Sequence, residues 1–311
     1  MRTLLVTEAP FRDLTYRACT LQARESVPHE GPMLLATPAE RVPPGFAPMP
    51  PDTVPDGVEQ VVLAGPFLVR HRLERALATA AEAVAAGARL LVHNLGLEDG
   101  AARIEPPAGV SVMDGAEPLL LRDHRTANVL TLWRVAAPMR ILGYPERHVA
   151  PDPFLARGLP DGPVLGIAFR GGEEMRKSWQ PRLPAITRLL ARARGWHALP
   201  LPTRLPGTGD EDGPATRAIL SAALPGAAPL LPELEDPEAW RRLLGPARLK
   251  ALVARCALVV TNRDLVAAYA VAAGVPVIGV ALGADRRIVS CLATLANELP
   301  PGSALVHPAP G

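Results

Sequence analysis

The stretch that decides the fold is LVARCALVVTNRDLVAAYAVAAGVPVIGVAL, residues 252–282. It holds two short apolar runs, Ala257–Val260 and Val275–Val280, which are rich enough in β-branched residues to form buried parallel strands. Between them, Asp264–Ala273 has the alanine-rich pattern of a helix, and a glycine and a proline follow it as C-terminal signals. The stretch therefore predicts one βαβ unit.

The same alternation of strands and helices runs through both halves of the chain. Besides the opening unit, we expect strands at Thr3–Val6, Gln60–Ala64, Arg89–His93, Val110–Met113, Leu119–Arg122, Val164–Phe169 and Trp196–Leu201. Helical patterns cover about 70–86, 125–136, 181–194, 215–223, 237–256 and 286–297. The alternation indicates an α/β fold with two Rossmann-like parallel-sheet domains facing a cleft.

Proline-rich segments divide this pattern. Val42–Pro55 is too proline-dense for a helix or a central strand and predicts a surface loop. Pro145–Pro163 is irregular and predicts an interdomain linker. We therefore expect an N-terminal domain over 1–150 and a C-terminal domain over 151–311, which agrees with about 150 residues for each domain.

Composition excludes several classes of function. The formal charge is only +2 and there is no dense basic run, so we expect no nucleic-acid partner. No run approaches the roughly 18 apolar residues that a membrane span requires. The N-terminus has no apolar run typical of a signal peptide, which predicts a cytoplasmic protein. Cys19, Cys256 and Cys291 fit neither a disulfide framework nor a metal site, so we expect no metal and no cofactor.

Two loops in the second half are candidate anion sites, because ligands of open α/β sheets bind at the carboxyl ends of the strands. Arg170-Gly171-Gly172 ends a strand, and its glycines would let backbone N–H groups approach an anion, although a simple turn also fits. Asn262 and Arg263 follow the first strand of the opening unit, where Arg263 would clamp a carboxylate or phosphate. The next residue, Asp264, is better explained as a helix N-cap.

Ionisable residues in other parts of the chain have two explanations each. Arg122-Asp123-His124 ends a predicted strand and is either a functional cluster or a helix start with Asp123 near the cap. His93 and His197 lie at or within strands, where a histidine is either an acid–base group or a structural residue.

Four landmarks in the order of the chain resemble the polysaccharide pyruvyl transferase family. They are Val61–Pro66, Leu121–Asp123, Ala150–Phe154 and Val260–Val280, and the resemblance covers roughly residues 58–300. It implies a two-domain, GT-B-like fold. It also implies transfer of a pyruvyl group from phosphoenolpyruvate to a sugar in surface exopolysaccharide biosynthesis.

The resemblance also implies roles for particular residues. Arg263 matches the arginine of the family's Arg-Leu-His element, whereas Leu265 stands where the family has histidine. An acid must protonate the enol methylene, so one of His93, His124 and His197 would have to supply it. We expect catalytic roles for His197, His124 and Arg263. We expect substrate binding by Arg122, Arg170, Gly171, Gly172, Asn262, Arg263, Arg286 and Arg287.

Two other functions remain open at this stage. One is a GT-B-like glycosyltransferase that uses a nucleotide sugar, with Gly171 and Gly172 near the diphosphate. The other is a non-catalytic member that binds a glycan. The expected partners are accordingly phosphoenolpyruvate or a nucleotide-sugar donor, together with a saccharide acceptor.

Overall fold

The computed structural model describes residues 1–8, 13–36, 43–50, 53–209, 211–283 and 286–310, except for the side chains of residues 99 and 100. The chain forms two compact units. One comprises Met1–Phe11 and Tyr16–Glu146, and the other comprises Arg12–Thr15 and Arg147–Gly311. No helix within the described ranges is long and apolar enough to cross a membrane.

The described part of the first unit contains one parallel sheet of seven strands in the order β3-β2-β1-β4-β5-β6-β7. The strands are β1 (Thr3–Val6), β2 (Met33–Ala36), β3 (Phe46–Met49), β4 (Gln60–Val69), β5 (Arg89–Gly100), β6 (Leu119–Leu121) and β7 (Met139–Ile141). The helices are α1 (Leu14–Ser26), α2 (Arg70–Ala85) and α3 (His124–Leu132).

This first sheet is buried on both faces, as a parallel sheet covered by helices must be. Leu4 belongs to the apolar cluster that includes Leu73 and Leu77 of α2. Its neighbour Leu5 points to the opposite face, into the cluster that includes Ala23 of α1. Successive side chains of a strand alternate between faces, so a continuous apolar run fills both layers.

The described part of the second unit contains a parallel sheet of five strands in the order β12-β11-β10-β8-β9. The strands are β8 (Val164–Ala168), β9 (His197–Pro200), β10 (Leu258–Thr261), β11 (Val277–Val280) and β12 (Ala304–Val306). The helices are α4 (Glu173–Trp179), α5 (Leu183–Leu190), α6 (Asp212–Ala223), α7 (Pro237–Leu243), α8 (Pro246–Ala254), α9 (Asp264–Ala272) and α10 (Arg287–Thr294).

A glycine allows α10 to approach the second sheet closely. Gly279 lies in β11, and a Cβ placed there would overlap the Leu292 side chain and come within 3.0 Å of Ile288 Cγ1. Both neighbours are buried residues of α10. The close approach therefore depends on the missing side chain.

The predicted α/β fold with two parallel sheets is confirmed. The opening stretch forms β10, α9 and β11, each ending within two residues of its expected bounds. The division into an N-terminal domain over 1–150 and a C-terminal domain over 151–311 stays a prediction. The second unit begins at Arg147 and also includes Arg12–Thr15.

Three local predictions were wrong. Val110–Gly115 is a short 3-10 helix and not a strand. The strand expected at Arg89–His93 continues to Gly100 as β5. The expected loop Val42–Pro55, of which residues 42, 51 and 52 lie outside the described residues, contains β3. Pro48 is accommodated there because β3 is an edge strand, where a missing N–H costs no ladder bond.

Candidate functional site

In the second unit, two loops meet at the carboxyl edge of the sheet because β8 and β10 are neighbours. Asn262 Oδ1 accepts a hydrogen bond from Arg170 N at 2.8 Å. Asn262 N donates to Ala168 O at 3.2 Å, and Thr261 Oγ1 donates to the same carbonyl at 2.8 Å. These bonds fasten the loop after β10 to the loop after β8, so Asn262 has a fixed position.

The amide of Asn262 has one unused group. The residue is 1% exposed, and its Nδ2 has no hydrogen-bond partner among the described residues. Its orientation is determined, because the atom that faces a backbone N–H must be the carbonyl oxygen. A buried donor without an acceptor costs about 1–3 kcal/mol, which makes this NH₂ group a candidate contact for a ligand oxygen.

The loop before α4 supplies the other predicted anion-binding residues. Arg170, Gly171 and Gly172 are all half-buried. Gly172 has φ 91°, a conformation that favours glycine, and it immediately precedes the helix. The first turn of α4 carries two glutamates, which oppose an anion at the helix start. Any phosphate in this loop would therefore depend on Arg170 and Asn262.

The Arg263 side chain is engaged by two carboxylates of its own chain, and its expected roles in anion binding and catalysis stay predictions. Its side chain is 2% exposed. Nε donates to Asp212 Oδ1 at 2.9 Å, Nη2 donates to the same oxygen, and Nη1 lies 3.6 Å from Asp13 Oδ2. The guanidinium is thus engaged by two carboxylates of the chain itself.

The ion-pair network around Arg263 is itself buried and satisfied. Asp212 Oδ2 accepts from Thr203 N at 2.7 Å and from Thr203 Oγ1 at 2.8 Å. Arg204 Nε donates to Asp13 Oδ2 at 2.9 Å. Burial alone would raise the pKa of Asp13, but Arg263 and Arg204 hold that pKa below its usual range. Burial alone would lower the pKa of Arg263, but Asp212 and Asp13 raise it.

The helix start after Arg263 also differs from the expectation. Arg263 is the N-cap residue of α9, and Asp264 is the first helical residue, so Asp264 is not the cap. Its carboxylate still lies in the first turn, where negative charge stabilises a helix. Leu265, which occupies the place of the family's histidine, is fully buried within α9.

The other predicted residues of the second unit do not all lie at this edge. His197 is the first residue of β9 and pairs with Val164, the first residue of β8. It therefore lies at the amino edge of the sheet, opposite the loops that hold Arg170 and Asn262. Arg286 is exposed just before α10 and Arg287 is half-buried in its first turn. Their roles in substrate binding stay predictions.

The first unit holds a separate buried polar cluster at the carboxyl end of β6. Arg122 donates from Nε at 3.0 Å and from Nη2 at 2.7 Å to Glu146 Oε1, and its guanidinium lies 4.3 Å from the centre of the Tyr144 ring. Asn94 Nδ2 donates to Glu146 Oε2 at 2.9 Å. Arg122 is 1% exposed, so its charge is compensated inside the unit.

Asp123 caps α3 within this cluster. Its Oδ1 accepts from Thr126 N at 2.8 Å, so of the two explanations left open by the sequence the structure shows the helix start capped by Asp123. Tyr144 OH donates to Asp123 Oδ2 at 3.3 Å. His124, the first residue of α3, is exposed, and its catalytic role stays a prediction. His93 is buried in β5, and burial lowers its pKa despite the charge of Glu146.

Sequence reasoning missed the carboxylates that organise both clusters. Asp212 lay before the helix expected over about 215–223, and Glu146 lay in the expected linker Pro145–Pro163. Each pairs with an arginine far away in the chain, at a separation of 51 residues for Asp212 and 24 for Glu146. The sequence offers one signal for these carboxylates. Each arginine follows a buried strand, and an arginine whose side chain points into the protein needs a carboxylate partner. Within the described ranges, no group of three or more His, Cys, Asp or Glu residues is arranged to hold a metal ion.

Comparisons with known proteins agree on the fold. No protein-family model matches the chain, and no curated protein matches it in sequence. Among solved structures, UDP-GlcNAc 2-epimerase from Methanocaldococcus jannaschii matches with a TM-score of 0.52 and 10% identity, over 99% of this chain and 89% of the other. The chain has a GT-B-like fold.

A second structure supports the same conclusion. A protein described as a putative UDP-N-acetylglucosamine 2-epimerase, from Listeria monocytogenes, matches with a TM-score of 0.51 and 11% identity, over 89% of this chain and 78% of the other. At such low identity the GT-B-like fold is what the chain shares with these two proteins.

Proposed function

We propose that this GT-B-like protein binds a nucleotide sugar and transfers its glycosyl group to a saccharide acceptor. The observation that carries the proposal is the unpartnered amide Nδ2 of Asn262 at the carboxyl edge of the second sheet. That edge is where open α/β sheets bind ligands. Two GT-B-like structures of similar fold are those of UDP-GlcNAc 2-epimerases, which supports a nucleotide sugar as the ligand class.

The donor diphosphate would contact the second unit through groups that are already positioned. Asn262 Nδ2 would donate to a phosphate oxygen, and the Arg170 guanidinium and the Gly171 and Gly172 amides would lie around it. The fixed amide loses little entropy on binding because Arg170 N already holds its oxygen at 2.8 Å. Arg263 would support this loop without touching the donor.

Calorimetric titration of the full chain with UDP-GlcNAc, UDP-glucose, dTDP-glucose and GDP-mannose tests the proposal. Asn262→Ala should raise the dissociation constant of the donor that binds best about tenfold to a hundredfold, the range for a hydrogen bond to a charged group. Asn297→Ala is the matched control, because Asn297 is exposed in the same unit. Absence of binding by all four donors, or equal affinity of wild type and Asn262→Ala, would contradict the proposed site.

Pyruvyl transfer from phosphoenolpyruvate is the second candidate, and the motif resemblance together with Arg286 and Arg287 at the start of α10 supports it. Against it stand the engagement of Arg263 by Asp212 and the buried Leu265 in the place of the histidine. Phosphate release from phosphoenolpyruvate in the presence of saccharides, with no response to nucleotide sugars, would favour it. Saturable glycan binding without turnover of any donor would indicate a non-catalytic protein.

A further inference from the structure

The second unit has an open cavity at the amino edge of its sheet. The cavity has a volume of about 380 Å³, and small-molecule sites usually measure about 300–1,000 Å³. Trp196 lines it and directly precedes β9, whose first residue, His197, pairs with the first residue of β8. A ligand here would therefore lie at the edge opposite to the loops that hold Arg170 and Asn262, apart from the proposed donor site.

The lining of this cavity is mostly apolar and includes one aromatic ring. Its apolar members are Trp196, Ala223, Leu224, Pro225 and Ala227, and Arg194 is its charged member. Trp196 is half-buried and packs against the core of the unit, and its backbone N–H donates to Ala193 O at 3.0 Å. The indole is thus held in place with part of its surface exposed, so it offers a ligand a preformed apolar contact.

The charge beside the cavity is positive. Residues 175–209 and 213–232, which include every lining residue, contain no Asp or Glu. Arg194 is exposed, and Arg192, two residues before it, is exposed as well. Helix α6 ends at Ala223, and a helix end contributes about half a negative charge. The full charge of Arg194 exceeds that contribution, so the balance at the cavity favours an anion.

We propose that this cavity binds a small organic anion with an apolar body, such as an aryl carboxylate. The apolar body packs against Trp196 and Leu224, where the removal of apolar surface from water stabilises the complex. The carboxylate pairs with the guanidinium of Arg194, whose planar fork matches the two carboxylate oxygens. The site uses no residue of the proposed donor site, so it does not depend on the function proposed above.

Proton–nitrogen NMR of the tryptophan indole groups in the full-length protein tests this site, and Trp196→Phe assigns the Trp196 signal. Phenylbutyrate is the probe, phenylbutylamine has the same ring with the opposite charge, and butyrate has the same charge without the ring. We expect phenylbutyrate to shift the Trp196 signal saturably and phenylbutylamine to leave it unchanged. Butyrate should bind at least about tenfold more weakly, because it lacks the ring. Trp240 is fully buried in the same unit and serves as internal reference.

Two pairs of variants distinguish the cavity from the rest of the surface. Arg194→Gln should raise the dissociation constant of phenylbutyrate about two- to fivefold, the range for an exposed ion pair. Arg157→Gln should not, because Arg157 is exposed in the same unit but lies outside the lining. Ala227→Phe should abolish binding because its ring fills the cavity, whereas Ala228→Phe changes an exposed neighbour outside the lining and should leave binding unchanged.

Three results would overturn the proposal. No response of Trp196 to phenylbutyrate would mean that the cavity holds only water. An equal response to phenylbutylamine would mean that the cavity does not select anions. Equal weakening by Ala227→Phe and Ala228→Phe would mean that the probe binds elsewhere. The titration of the wild-type protein decides the first two outcomes without any variant, and the variants change exposed positions, where substitutions rarely prevent folding.

Discussion

Arg263 and Asp212 form a buried ion pair in which two guanidinium nitrogens donate to the same carboxylate oxygen. The pair joins the loop after β10 to the first residue of α6, and Thr203 satisfies the other oxygen of Asp212. A buried charge pair of this kind is expensive to break because the remaining partner is left uncompensated. Arg263 therefore has a structural role in the second unit, and its part in ligand binding stays a prediction.

Removing one member of this pair should destabilise the second unit strongly. We expect Arg263→Ala and Asp212→Ala each to lower the free energy of unfolding by about 3–5 kcal/mol. Arg263→Met combined with Asp212→Leu should cost less than the sum of the single changes, because neither charge is stranded. Urea denaturation of the four proteins measures this. Single variants as stable as wild type would show that the pair does not form.

Stability should fall as the solution is acidified through the range in which an ordinary histidine titrates. The pKa of His93 in the folded state lies below its usual 6.5 because the ring is buried. On acidification the unfolded chain therefore binds the proton before the folded chain does. The contribution of His93 to the free energy of unfolding begins to fall near pH 6.5 and is lost completely below the pKa of the folded state. Urea denaturation between pH 7.5 and about 5 should show a flatter profile for His93→Gln than for His71→Gln, the control at an exposed histidine of α2. Equal slopes would remove His93 as the cause.

Glu8 should change the pH dependence of stability in the direction opposite to that of His93. Burial raises its pKa above the usual 4.5, although Leu68 N and Arg72 lower it in part. The folded state then takes up the proton at higher pH than the unfolded chain, so acidification through the raised pKa strengthens folding through this group. The gain is complete below about pH 4.5, and Glu8→Gln should abolish it. Comparing the pH dependence of unfolding in wild type and variant measures the difference, and identical profiles would contradict the assignment.

Adding one methyl group at Gly279 should disturb the packing of α10. The new Cβ would overlap Leu292, a buried side chain, so we expect Gly279→Ala to cost about 1–3 kcal/mol of unfolding free energy. Gly158→Ala is the matched control, because a Cβ at Gly158 meets no atom within 4 Å. Thermal unfolding, monitored by the fluorescence of the tryptophans in the second unit, measures the melting temperatures of both variants. A normal melting temperature for Gly279→Ala would show that α10 can shift without cost.

The sequence predicted best those parts of the fold in which the period of the apolar residues agrees with the positions of the glycines and prolines that end helices and strands. β1 and the start of α2 lie where the patterns put them, because a buried parallel strand and an amphipathic helix have distinct periods. β3 was missed because Pro48 argues against a strand unless the edge position is known. Val110–Met113 was assigned the wrong type because a four-residue segment has too few repeats to separate a strand from a helical turn, and it forms part of a 3-10 helix.

The candidate site was only partly predictable. Arg170 and Asn262 were both expected at strand ends, but their contact depends on β8 and β10 being neighbours, which a sequence pattern does not give. The partners of Arg263 and Arg122 were not predictable, since Asp212 and Glu146 are placed by tertiary packing. The unpartnered amide nitrogen of Asn262 could be recognised only after every neighbouring donor and acceptor had been located.

The proline in the outermost strand of the first sheet has a consequence for how this protein behaves at high concentration. An edge strand offers a row of free backbone groups to which a strand of another molecule can add, and this is a common start of aggregation. β3 is only four residues long, and Pro48 within it has no N–H to donate. A foreign strand would find an incomplete ladder there, so Pro48 protects the outer edge of β3 from intermolecular strand pairing.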